Sequence, residues 1–302
     1  FVKPDMNMPA VKRFIHVKIL YFLSSQENEG GTIMYRLIAC DLDETLLDKK
    51  RHVSPKTRET IKKAEAQGLI FAPATGRGFY SIKQTLAELA ADNKAQHYMI
   101  GFNGGVVVEN QGPTIIKDFP LAYDVLAQLF EFGSKYEVAI HLYTFEQTYV
   151  YHSNPDEDAY LTTIPHEKRL DDDIDFLKDQ TCYKALFQNL DRHYLEQIET
   201  DLPADLKTAL EISYSSNRYI EFNPKGVNKG VALQTLADHL GIPMEETIAI
   251  GDNTNDLAMI QAAELGVAVA NAVPAVKAAA QHTTTADHEN SAVAEVIETF
   301  IL

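Results

Sequence analysis

The chain has 302 residues, 45% hydrophobic and 23% charged, close to the averages of globular proteins. A formal net charge of −16 argues against nucleic acid and anionic membrane surfaces as partners, since both require a basic face. The length suits two domains and ample core, and the two cysteines, Cys40 and Cys182, show neither CxxC nor metal-ligand spacing and fit a reducing cytoplasm.

No stretch approaches the ~20 apolar residues of a membrane span. The longest early apolar run, 17–23, is interrupted by Lys18, and Ser24-Ser25-Gln26-Glu27-Asn28 offers no small-residue cleavage pattern, so residues 1–33 read as an extension without an assigned role. A strand over 35–40 ends in the apolar run Leu37-Ile38-Ala39-Cys40 and is followed at once by Asp41, Asp43 and Glu44. Cys40 is expected to be a small core residue closing that strand, not a nucleophile. A polar helix over 55–67 follows, with Pro55 in its first turn and Gly68 as its stop. The next strand, 69–72, runs into Pro73-Ala74-Thr75-Gly76-Arg77-Gly78 and a helix reaching 91, and strands at 98–102 and 106–109 are joined by the hairpin turn Asn103-Gly104-Gly105.

Between 118 and 223 the pattern changes to α+β. Helices are expected at 123–136 and 192–200, and strands at 138–143, 148–152, 183–188, 210–214 and 218–222. Tyr143, Phe145, Tyr149 and Tyr151 are spaced as half-buried strand residues, one or two of them facing a ligand, and Asp171 to Asp173 read as a solvated loop. The histidines lack metal-ligand spacing. After 224, helix 229–240 ends at Gly241, strand 247–250 leads into Gly251-Asp252-Asn253-Thr254-Asn255-Asp256, and helix 257–263 and strand 267–270 follow. Alternating strands and helices predict a doubly wound, mainly parallel α/β sheet over 34–119 and 224–302, interrupted by an inserted α+β domain at 120–223.

The chemistry falls where ligands bind such sheets, beyond the carboxyl ends of the strands. Three acids within four residues repel one another unless a hard cation or a basic group neutralises them, and Mg²⁺ is the expected neutraliser. Thr75-Gly76 offers a hydroxyl and free N–H groups at a helix start, a natural phosphate seat. Asp252 and Asp256 add oxygen ligands, and Lys229 could balance both a phosphate and an ionised carboxylate. Arg77 is read as a substrate contact, a brace or a partner for an acid, with no preference among the three.

These four segments, in this order, resemble the four motifs of the haloacid dehalogenase-like phosphatase superfamily, with Asp41-Leu42-Asp43-Glu44-Thr45 as the first, Thr75 the second, Lys229 the third, and Gly251-Asp252 through Asp256 the fourth. The insertion, together with Asn103-Gly104-Gly105, the run 224–230 and the tail at 290–297, is similar to the Cof-type subfamily with its large cap. Glu44 departs from the Gly that many members carry. The resemblance implies a Mg²⁺-dependent phosphatase of small phosphorylated metabolites, sugar phosphates first. Asp41 would be the nucleophile and Asp43 the acid and base; Asp41, Asp43 and Asp252 would bind the metal. Leu42, Thr75, Gly76, Lys229 and Asn255 would grip the phosphate, with Asp256 and Arg77 in support. A phosphomutase on the same scaffold and a non-catalytic sugar-phosphate sensor are the rival expectations, and Asp43 disfavours dehalogenation.

Overall fold

A computed structural model describes residues 35–302, so the N-terminal extension lies outside the described residues. The first strands are β1 (Leu37–Cys40), β2 (Ile70–Pro73), β3 (Tyr98–Gly101), β4 (Val106–Glu109) and β5 (Thr114–Asp118). Every side chain of β1 is fully buried, as befits an apolar run covered on both faces of a parallel sheet. The helix Pro55–Glu65 starts where expected: the Ser54 hydroxyl accepts the Thr57 N–H at 3.1 Å and Pro55 occupies the first turn.

The insertion supplies β6 (Ala139–Thr144), β7 (Thr148–Tyr151), β8 (Glu167–Lys168), β9 (Cys182–Gln188), β10 (Leu210–Ser215) and β11 (Tyr219–Pro224). The chain then returns through the helix Lys229–Leu240 to β12 (Thr247–Gly251), β13 (Leu265–Ala268) and β14 (His282–Thr283). Among the described residues these strands form three sheets: a parallel one ordered β14-β13-β12-β1-β2, an antiparallel β3-β4-β5, and a six-stranded one ordered β10-β11-β9-β6-β7-β8. The Asn103-Gly104-Gly105 hairpin joins β3 to β4 as expected. No strand was expected at β5, whose largely exposed edge position supplies little apolar signal.

Register explains why the insertion has two different faces. In β6, β9 and β11, Ile140, Leu142, Ala185, Phe187, Ile220 and Phe222 pack in one apolar cluster with Leu129 and Phe130 of the helix Tyr123–Gly133 and with Leu195 and Ile198 of the helix Arg192–Asp201. The alternate residues His141, Tyr143, Lys184, Leu186, Tyr219 and Glu221 line a cavity against the parallel sheet instead. Tyr143 therefore faces the cavity. Tyr149 and Tyr151 are buried more deeply than a half-covered strand implies, because they pack in the helix-covered cluster, with Phe130 4.8 Å from the Tyr151 ring.

Close helix packing fixes the entry to the helix Lys229–Leu240. A Cβ on Gly230 would lie 2.4 Å from the carbonyl oxygen of Ala258 in the helix Leu257–Ala262, and one on Gly104, at φ +102°, would lie 2.3 Å from the Asn228 carbonyl oxygen. Neither backbone can yield as a side-chain tip would. Gly230→Ala is expected to cost about 1–3 kcal/mol by overpacking; an unchanged urea midpoint would show that the two helices can separate freely.

Candidate active site

Three neighbouring strands deliver the site at one level. Cys40 of β1 pairs with Pro73 of β2 and Ile250 of β12, so the residues just beyond these ends, Asp41, Ala74-Thr75 and Gly251-Asp252, emerge side by side. The Asp41 N–H donates to the Ile250 carbonyl at 2.9 Å and the Ala74 N–H to the Cys40 carbonyl at 2.8 Å, which continues the ladder up to the site. β1 has β2 on one side and β12 on the other, the switch point where open α/β sheets hold ligands.

Lys229, the first residue of its helix, is completely buried and closes the arrangement from below. Its ammonium donates to Asp41 Oδ1 at 2.5 Å and to Asp256 Oδ1 at 2.6 Å. The other oxygen of Asp256 accepts the N–H groups of Asp252 and Asn253 at 3.0 and 3.1 Å. Both Asp256 oxygens are thus engaged in holding Lys229 and the loop after β12. Asp252 Oδ1 accepts the Thr45 hydroxyl at 2.9 Å, a contact that gives Thr45 a function beyond its place in the first segment.

Asp41, Asp252 and Asp256 bring carboxylate oxygens within 4.8 Å of one another, all three residues buried. With Lys229 as the one ammonium bonded to them among the described residues, three ionised carboxylates would leave a net charge of −2. Burial, then Asp256, raises the Asp41 carboxyl well above its ordinary range against the pull of Lys229. Burial and Asp256 likewise push Asp252 up to about 8, opposed by the Thr45 hydrogen bond. Burial alone would lower the Lys229 ammonium, but Asp256 and Asp41 outweigh it and raise it. An all-oxygen donor set carrying two surplus negative charges fits a hard divalent cation.

The sign of the resulting pH dependence follows by linkage. A carboxyl raised on folding from 3.8 to about 8 binds more protons in the folded state across that window, so Asp252 makes the metal-free protein less stable as pH rises from about 4 to 8. A divalent cation competes with that proton. The rise in melting temperature on adding Mg²⁺ should therefore be larger at pH 8 than at pH 5; an equal rise at both would place the ion elsewhere.

The remaining expected residues surround this cluster. The Thr75 hydroxyl accepts the Arg77 N–H at 3.1 Å, and the Arg77 guanidinium pairs with Asp43. Arg77 thus has an acid for a partner and also lines the cavity. Asp43 therefore turns its carboxylate to Arg77 and not into the three-carboxylate cluster, while the Leu42 side chain is buried in the core, leaving only its backbone to reach a ligand. The Asn255 amide donates to Asn103 Oδ1 at 3.3 Å. Asn103, at φ +55°, is both the hairpin turn and a buried link of the site. Cys40 is a buried core thiol that donates to the Asp41 carbonyl. The Asp171 to Asp173 run is exposed, with Asp171 and Asp172 paired to Arg169 and His152.

Several wall residues were absent from the sequence expectations. Lys184 and Glu221 are 2% and 3% exposed and join the insertion to Gly76 and Asn103 respectively, and His141 is buried beneath Tyr143 with a 3.2 Å contact to its hydroxyl. The available signal was a single charge in each of two otherwise apolar strands, Tyr183-Lys184-Ala185-Leu186-Phe187 and Tyr219-Ile220-Glu221-Phe222.

Comparison with known proteins points one way. The sequence pattern of the haloacid dehalogenase-like hydrolases matches residues 38–297. The chain is 31% identical over 273 residues to "Putative phosphatase YxeH" of Bacillus subtilis, spanning 89% of this chain and 99% of that protein. It is 28% identical over 267 residues to the 5-amino-6-(5-phospho-D-ribitylamino)uracil phosphatase YcsE of the same organism, spanning 88% and 96%. A crystal structure of a haloacid dehalogenase-like hydrolase from Bacteroides thetaiotaomicron matches with a TM-score of 0.76 at 31% identity, over 88% of this chain and 99% of that one.

Proposed function

From the premise that the chain belongs to the haloacid dehalogenase-like hydrolases and is a phosphatase, we propose that it is a Mg²⁺-dependent phosphomonoesterase working through an aspartyl-phosphate on Asp41. The observation that carries this reading is the Lys229 ammonium shared by Asp41 and Asp256 beside the buried Asp252. That ammonium donates to Asp41, opposes the upward push of burial on its carboxyl and aims it, as a nucleophile requires.

Asp41, the Asp43 backbone carbonyl and Asp252 would hold Mg²⁺, which when bound offsets charge on the phosphoryl oxygens. The chain's own residues do the rest. Thr75, the N–H groups of Leu42 and Gly76, Lys229 and Asn255 grip the phosphoryl oxygens in line with Asp41. An Asp41 oxygen bonds to phosphorus as the ester P–O bond breaks, and Asp43 gives its proton to the departing alkoxide. Asp43 then takes a proton from water, whose oxygen attacks phosphorus, releasing inorganic phosphate and freeing Asp41. Arg77 fixes one Asp43 oxygen and leaves the other for these transfers.

The insertion at 120–223 is read as a cap domain whose sheet walls the cavity and excludes water, which suits small substrates. Sugar phosphates are the proposed class, within the small phosphorylated metabolites to which the aminouracil phosphatase name also points. The two buried free cysteines suit a cytoplasmic setting, and no helix among the described residues is long and apolar enough to cross a membrane. A phosphate-release screen over phosphorylated metabolites, with and without Mg²⁺, tests the reading. Mg²⁺-dependent release from sugar phosphates supports it and eliminates a non-catalytic sensor; isomerised sugar phosphate without free phosphate would make the protein a mutase, and no turnover would overturn the phosphatase reading.

A further inference from the structure

Among the described residues, one buried lysine, Lys184, lies outside the four site segments. Lys184, in the middle of β9, donates to the Gly76 carbonyl at 2.8 Å, lies 3.3 Å from Glu221 Oε2 and stands 4.9 Å from the centre of the Tyr143 ring. Glu221, on β11, also accepts the Ser215 hydroxyl at 2.7 Å and the Asn103 side-chain amide. Asn103 carries the connection onward: its backbone N–H donates to the Thr75 carbonyl at 3.0 Å, and its side chain accepts from Asn255. Two charges buried this deeply carry a desolvation cost that apolar residues of the same shape would avoid. The helix-covered faces of β9 and β11 already supply apolar cohesion, so the pair calls for a role other than holding the sheet together.

The bonds made by the loop supply that role. The Gly76 carbonyl and the Arg77 N–H belong to one peptide plane, held at its oxygen by Lys184 and at its nitrogen by Thr75 Oγ1. Because Thr75 Oγ1 accepts there, its own proton remains to be donated to a phosphoryl oxygen. The Arg77 side chain leaves the same plane and reaches Asp43. We propose that Lys184 is a positioning residue: by holding the Gly76–Arg77 peptide, it aligns the Thr75-Gly76 phosphate seat and the Asp43 carboxylate only when the insertion is seated on the core. This rests on the phosphatase reading, since the seat is taken to receive the substrate's phosphoryl group.

The test is Lys184→Met in the full chain, read on p-nitrophenyl phosphate and acetyl phosphate, whose leaving groups are small, and on orthophosphate binding by calorimetry. Misalignment of the seat predicts a fall of about 100-fold in kcat/KM on both compounds and an orthophosphate Kd weakened about 10-fold. The Mg²⁺ concentration for half-maximal activity should stay unchanged, because Asp41 and Asp252 do not touch Lys184. An unchanged kcat/KM on both compounds would mean that Lys184 does not align the seat, and a shifted Mg²⁺ requirement would mean general disruption; either overturns the proposal. Should the single variant fail to fold, Lys184→Met with Glu221→Gln leaves no orphaned carboxylate and must show the same losses. If the wild type hydrolyses nothing, the phosphatase reading fails separately, and an orthophosphate Kd unmoved by the substitution would still overturn this one.

Discussion

Replacing Asp41 by asparagine should lower phosphate release by about 10⁴-fold or more while leaving the protein folded. The amide is nearly isosteric but a poor nucleophile, and losses of this order follow removal of a reacting group from enzymes that work through covalent intermediates. The fold should tolerate the change because Asp41 is one of three crowded carboxylates and its burial already disfavours the ionised form. Lys229 keeps Asp256 as a partner. The check is steady-state release from p-nitrophenyl phosphate with Mg²⁺, beside a thermal melt. Turnover within tenfold of wild type would remove Asp41 from the chemistry, and a collapsed melt would make the residue chiefly structural.

Lys229→Ala should affect rate and stability together. Loss of one electrostatic donor to the transition state costs about 3 kcal/mol of barrier, roughly 10²-fold in kcat. The substitution also leaves Asp41 and Asp256 buried without their shared ammonium, and breaking a buried pair from one side costs about 3–5 kcal/mol of stability. Urea unfolding and kcat at saturating Mg²⁺ measure the two parts. A stability loss with unchanged kcat would assign Lys229 to the fold alone, and unchanged stability would mean that the carboxylates find another partner.

Much of this arrangement could be read from the chain because it rests on local features that periodicity and punctuation report. A four-residue apolar run ending in Asp41, a Thr-Gly after the next strand and a Gly-Asp after the twelfth are all consequences of where a parallel sheet ends, and the register of β1 with its two neighbours brings them level. Lys229 was legible for a similar reason, as the opening residue of a helix that Asn228 caps.

What escaped reading depends on contacts between distant segments. Lys184 and Gly76 are separated by 108 positions and Asn103 and Glu221 by 118, and nothing in the neighbourhood of any one of them names its partner. The Asn103-Gly104 turn was legible as a turn, yet its second purpose depends on the close approach of Gly104 to Asn228 and on the Glu221 carboxylate arriving from another sheet. Thr45 lay in plain view beside Asp43, but its bond to Asp252 spans 207 positions. β5 went unread because an exposed edge strand has no buried face to impose an alternation of apolar residues.

The central step is covalent transfer of a phosphoryl group to one side chain. Rapid acid quench of the enzyme during turnover of p-nitrophenyl phosphate with Mg²⁺, followed by peptide mass spectrometry, observes that step directly. The expected result is phosphate on the peptide carrying Asp41, localised to that residue and lost in Asp41→Asn. Continued turnover with phosphate on a different side chain would contradict it.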